Sequence, residues 1–140
     1  YDISILVLNS PSDETPVKLF NSEEDVLYKG MQLKTVGYGR GKRRVSNYGV
    51  FWYYGRFIEA PQCMVMLPLN GSFWFGDSGG AVLTYDNKLI GIMSYFSVSD
   101  GIIFENVSAS IEYYKEWIGG VINDAGVDAD PDFSYDLLFP

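Results

Sequence analysis

The chain is expected to fold as an all-β barrel in one domain, followed by a single C-terminal α-helix. Three observations lead there. Short apolar runs recur along the first hundred residues, each bounded by Gly, Pro, Asn, Asp or Ser, the pattern of short strands joined by turns. Hydrophobic residues make up 47% of the 140-residue chain and aromatic ones 16%, enough for a packed core and too much for a disordered polymer. Beyond Ser110 the period becomes helical, with Ile111, Tyr114, Trp117, Ile118 and Val121 on one face.

The elements follow in order. Ile3, Ile5 and Val7 alternate with Ser4, Leu6 and Leu8 in an almost unbroken apolar run, which suits a buried barrel strand. Asn9-Ser10-Pro11-Ser12-Asp13 is a turn cluster, and Pro16 keeps the next segment extended. Ser22-Glu23-Glu24-Asp25 reads as a solvated acidic loop. After Gly30, residues 31–38 alternate as a strand. Arg40-Gly41-Lys42-Arg43-Arg44 is a solvated basic loop or a site of proteolytic processing. The aromatic residues 50–54 and 56–58 read as strand, and residues 63–69 as another. Tyr85-Asp86-Asn87-Lys88 is a hairpin turn between the runs 81–83 and 89–94. Ser110 is the expected N-cap of the helix, with Glu112 in its first turn and Gly119-Gly120 fraying or ending it. Residues 123–140 hold five aspartates and no lysine or arginine, an acidic tail.

Composition excludes some functions. A net charge of −8 argues against nucleic-acid binding, which wants a basic face. No apolar run approaches the roughly 18 residues of a membrane span. No residue pattern calls for a metal or a cofactor.

The chemistry gathers at Phe75-Gly76-Asp77-Ser78-Gly79-Gly80-Ala81-Val82. Glycines around a serine permit a sharp loop whose backbone N–H groups converge beside the hydroxyl, as stabilising an oxyanion in acyl transfer requires. The same residues also make ordinary turns.

Gly76-Asp77-Ser78-Gly79-Gly80 resembles the nucleophile motif of the chymotrypsin/trypsin-like serine proteases, with Ala81 where proline is usual. Asp2-Ile3-Ser4-Ile5-Leu6 resembles the segment that carries that family's catalytic aspartate. Thr35-Val36-Gly37-Tyr38-Gly39 resembles its Gly-Trp-Gly strand, and Leu89-Ile90-Gly91-Ile92-Met93-Ser94-Tyr95 the strand lining its cleft. Residues 111–118 resemble its terminal helix. The resemblance covers residues 1–118, a partial protease domain of a six-stranded second barrel with part of the first; residues 119–140 form the tail. The order aspartate before serine does not suit the nucleophile elbow of other hydrolases.

The resemblance implies that Ser78 is the nucleophile, that the amides of Gly76 and Ser78 form the oxyanion hole, and that Asp2 orients a histidine. The chain contains no histidine, so an N-terminal chain or segment of the same protein is the expected partner supplying it, and the chain is expected to be a portion of a larger protein. Asp77 corresponds to the activation carboxylate, which takes the amine released by zymogen cleavage; lacking that amine, it should seek a partner on another chain or stay solvated. Ser72 corresponds to the floor of the primary substrate pocket, with Ser94, Tyr95 and Phe96 on its lining strand. Phe96 and Ile102 stand where glycines are usual, Ile102 beyond a short loop at residues 97–101. Two bulky residues there imply a preference for small apolar side chains or a closed pocket, and cleavage after Lys or Arg is not expected. The family is usually secreted, and two Asn-X-Ser sequons at Asn70 and Asn106 suit that compartment. Cys63 stands alone, and Trp74 replaces a usual bridging cysteine; Cys63 is a buried thiol or is bridged to another part of the protein. The expected function is a serine endopeptidase acting on proteins or peptides. The alternative is an inactive homologue that uses the barrel as a protein-binding module.

Overall fold

Six antiparallel strands pair in a ring. The computed structural model describes residues 2–39, 41, 43–52 and 62–125. The strands are β1 (Gln32–Gly37), β2 (Arg44–Trp52), β3 (Cys63–Asn70), β4 (Ala81–Thr84), β5 (Leu89–Ser99) and β6 (Ile102–Ser110), followed by helix α1 (Ile111–Asp124). Their order around the ring is β1-β2-β3-β6-β5-β4, closed by the pairing of Leu33 with Thr84 and Thr35 with Val82. Closure leaves the barrel without a free strand edge.

Alternation sets the core. Leu33 and Thr35 on β1 point inward and are buried, as are Val82 and Thr84 on β4. They join Phe20, Tyr48, Met64, Met66, Phe73, Ile90 and Met93 in or against the barrel core. The expected hairpin at residues 85–88 is present, with Asn87 in the left-handed region at φ 67° and the Thr84 amide bonded to Lys88 O at 3.0 Å.

A second cluster sits beneath the helix. Ala109, Ile111, Tyr114 and Ile118 pack with Ile3, Ile5, Leu19, Leu89, Ile92 and Ile122. Ser110 caps α1 by accepting from the Tyr113 amide, and Glu112 occupies the positive first turn. The helix does not end at Gly119-Gly120. Gly119 is buried and the helix continues to Asp124, so packing outweighs the low helix propensity of glycine. Trp117, expected on the apolar face, is 44% exposed and meets Tyr114 edge-on.

Three further expectations change. Residues 2–8 pair with no strand, because the closed ring offers no edge; Ile3 and Ile5 reach the helix cluster while Leu6, Val7 and Leu8 are exposed. The part of a first barrel expected there is not formed as strand among the described residues. The loop expected at residues 97–101 is instead the end of a long β5–β6 hairpin, turning at Asp100 and Gly101. The acidic loop is anchored: Asp25 pairs with Lys88, Asn21 accepts from Lys115 at 2.7 Å, and Ser22 donates to Glu112. Arg44 opens β2, while Arg40 and Lys42 of the basic run lie outside the described residues. So do the aromatic residues 53–58 and the tail from residue 126.

Candidate active site

Ser78 stands on the loop joining β3 to β4, and that loop is pinned on both sides of it. The Asp77 amide donates to Trp74 O at 3.0 Å, and the Gly80 amide to Asp77 O at 3.0 Å. Gly79 N donates to Met93 O at 2.9 Å while Met93 N donates to Gly80 O at 2.8 Å, tying the loop to β5. Gly76 and Gly79 have φ of 92° and 85°, the left-handed region that glycine enters without steric cost. Ser78 is thereby held exposed at the apex.

Asp77 fixes the loop from beneath. Its side chain is 9% exposed, and its carboxylate accepts from the amides of Tyr38 (2.8 Å), Gly39 (2.6 Å) and Trp74 (2.9 Å). The partner expected on another chain is replaced by three backbone donors of this one, which lower the cost of burying the charge. The Gly37-Tyr38-Gly39 motif follows from this contact: a Cβ on either glycine would collide with the Asp77 carboxylate.

Ser94 joins the two residues assigned to chemistry. Ser78 Oγ donates to Ser94 O at 3.2 Å, and Ser94 Oγ donates to the Asp2 carboxylate. One residue of β5 thus touches both, through its carbonyl and its side chain. The amides of Gly76 and Ser78 have no hydrogen-bond partner among the described residues, which leaves two backbone donors of this loop available. Cys63 is half-buried; burial, and then the Asp2 carboxylate, push its thiol pKa up, which keeps it protonated at neutral pH.

The substrate-pocket residues are only partly as expected. Ser72 Oγ lies 2.8 Å from Asn106 Oδ1 and also reaches Phe73 O at 3.0 Å. Phe96 is the hub of an aromatic group, stacked on Trp74 with centroids 5.4 Å apart and edge-on to Phe73 (6.1 Å) and Phe75 (5.2 Å). Tyr95 points away and is 49% exposed. Ile102 is not on the opposing wall. It pairs with Ser99 at the hairpin tip and is 69% exposed, because β5 continues to Ser99 before turning. The residue opposite Phe96 is Asn106.

Asn106 is the residue that sequence reasoning missed. It had registered there as a glycosylation sequon, yet it is fully buried, which also removes it as an accessible acceptor in the folded chain. A register shift in β5 between Met93 and Tyr95 brings it opposite Phe96, and counting residues back from the helix cap at Ser110 would have set it opposite Tyr95 instead. Among the described residues no cluster of His, Cys, Asp or Glu is arranged to hold a metal ion.

The family model described as Trypsin matches residues 1–118. The chain belongs to the trypsin family. Two solved structures share this trypsin fold. The scabies mite inactivated protease paralogue S-I1 is 22% identical, with a TM-score of 0.60 over 79% of this chain and 53% of that one. A mutant of human heparin binding protein (CAP37) is 20% identical, with a TM-score of 0.64 over 85% of this chain and 55% of that one. The chain therefore spans about half the length of these relatives. A search of curated proteins yields no match to it. No helix among the described residues is long and apolar enough to cross a membrane.

Proposed function

We propose that this trypsin-family chain carries the nucleophile and the orienting aspartate of a secreted serine endopeptidase. The observation that carries the reading is the shared contact of Ser78 and Asp2 with Ser94, Ser78 standing on a loop whose Gly76 and Ser78 amides are unpartnered among the described residues. Ser78 attacks a peptide carbonyl once its proton passes to an imidazole supplied from outside this chain, which itself has no histidine. The acyl-enzyme forms as the same imidazolium protonates the departing amine, and water then hydrolyses the ester. The two amides receive the developing oxyanion, an effect of about 3 kcal/mol per donor. Asp2 stabilises the imidazolium. Asp77, already held by three amides, keeps the loop in shape; an amine released by zymogen cleavage would add charge to a contact that exists without it.

A second reading is favoured by one observation. Phe96 lies among Phe73, Trp74 and Phe75 where a substrate side chain would enter, and one solved relative is itself described as an inactivated protease paralogue. In that reading the barrel is a protein-binding module.

Fluorophosphonate labelling of the complete, processed protein, with the adduct located by mass spectrometry, separates the two. Modification of Ser78, lost in Ser78→Ala, supports the peptidase. An unlabelled Ser78 after confirmed processing rejects it in favour of the binding module.

A further inference from the structure

The floor beneath Phe96 is polar and incompletely bonded. Asn106 is fully buried, and its Oδ1 accepts from the Ser72 hydroxyl while its Nδ2 has no acceptor. A buried amide donor without a partner is costly, and a ligand that brings it an acceptor removes that cost. Phe96 and Asn106 are register partners across β5 and β6, so both side chains leave the sheet on the same side. Above them the ring of Phe96 packs at the edge of the barrel core against Phe73, Trp74 and Phe75, with no hydrogen bond to hold it, and Phe75 is 72% exposed. Such a ring can rotate away without breaking a hydrogen bond.

We propose that Phe96 gates a pocket whose floor is Ser72 and Asn106, and that the side chain it admits bears a neutral hydrogen-bond acceptor, as glutamine and asparagine do. The inference rests on the peptidase reading of Ser78. An entering carboxamide oxygen takes the free Asn106 Nδ2, and its NH2 group has the Ser72 oxygen within reach. A lysine or arginine finds no carboxylate there, since Asp77 is engaged by three amides. An aspartate or glutamate would bury its charge against neutral partners only. An apolar side chain would leave Nδ2 unpaired, and a site built to bond a polar group rejects analogues that lack it by large factors. The expectation of a small apolar preference had placed Ile102 on the wall; Asn106 in that position changes the chemistry.

The test uses the complete, processed protein with Phe96→Gly, alongside the milder Phe96→Leu in case the glycine variant folds poorly. Peptides identical except for Gln, Met, Asn, Leu, Glu or Lys before the scissile bond are digested and quantified by mass spectrometry. Gln and Asn peptides should exceed their near-isosteres Met and Leu at least tenfold in kcat/KM. Adding Asn106→Asp should shift the preference towards Lys. If Ser78 is labelled but Met and Leu are cleaved as well as Gln and Asn, the inference falls and the peptidase stands. If Ser78 is unlabelled in wild type and both Phe96 variants, the peptidase reading fails and takes the inference with it.

Discussion

The Asp77 carboxylate lies 2.7 Å from where a Cβ on Gly39 would stand, with Phe75 O equally close on another side. The β1 exit and the Ser78 loop are therefore in contact at a distance that no side chain larger than hydrogen permits. Gly39→Ala should destabilise the protein by about 1–3 kcal/mol, the usual cost of overpacking a site that relaxes only by moving backbone. A urea midpoint measures this. Because the displaced group holds the Ser78 loop, fluorophosphonate labelling should slow as well. Asp77→Asn should act through the same contact, since its NH2 group would face amide donors instead of accepting from them.

Tyr48 ties the pocket floor to the core. Its hydroxyl accepts from the Phe73 amide at 2.6 Å, and the residue is fully buried. Tyr48→Phe leaves that amide without a partner and should cost about 1–3 kcal/mol. Burial, opposed by hydrogen bonds to Thr35, Phe73, Ser46 and Ser72, pushes the phenol pKa above its ordinary value of 10.0. A raised folded pKa means a contribution complete below pH 10 that is lost as pH rises further, so the wild type should weaken in alkali more steeply than Tyr48→Phe. Chemical denaturation across that range checks the slope.

The pair Asp25–Lys88 anchors the 21–25 loop to the β4–β5 hairpin, with side chains 18% and 23% exposed. Burial works against the Asp25 carboxylate, but the Lys88 hydrogen bond, the Asn21 amide and the Lys88 charge outweigh it and hold its pKa below 3.8. Lys88 is moved above 10.5 chiefly by its hydrogen bond to Asp25. The Asp25 contribution is thus complete above pH 3.8 and lost as pH falls through the lowered value; that of Lys88 is lost above 10.5. Asp25→Asn should cost about 1 kcal/mol at pH 7 and flatten the acid limb of a stability profile.

Ser108 should be expendable. Its hydroxyl is buried against Gly91 and has no partner among the described residues. Ser108→Ala removes an unsatisfied polar group and should leave stability unchanged or raise it by about 1 kcal/mol, read as an equal or higher Tm.

Much of the architecture was legible because its signals are local. The hairpin at Tyr85–Lys88, the Ser110 cap and the alternation along β1 each need only a few adjacent residues to identify. Gly37, Gly39 and Asp77 were visible as motifs, but their collision-tight contact joins positions nearly forty residues apart. The fate of residues 2–8 was not legible, since hydrophobic alternation reports an apolar face and not the availability of a strand edge. Ile102 was misplaced for a related reason: the length of a hairpin depends on cross-strand pairing that no single strand records.

By itself, then, the sequence determined the all-β barrel, the capped helix and the glycine-rich serine loop, all consequences of backbone freedom and side-chain periodicity along neighbouring residues. Tertiary structure alone decided that Asp77 finds three amides within the chain, that Ser94 lies between Ser78 and Asp2, and that Asn106 faces Phe96. Those relationships come from strand register and ring closure, which bring distant residues to hydrogen-bonding range only when the whole barrel is assembled.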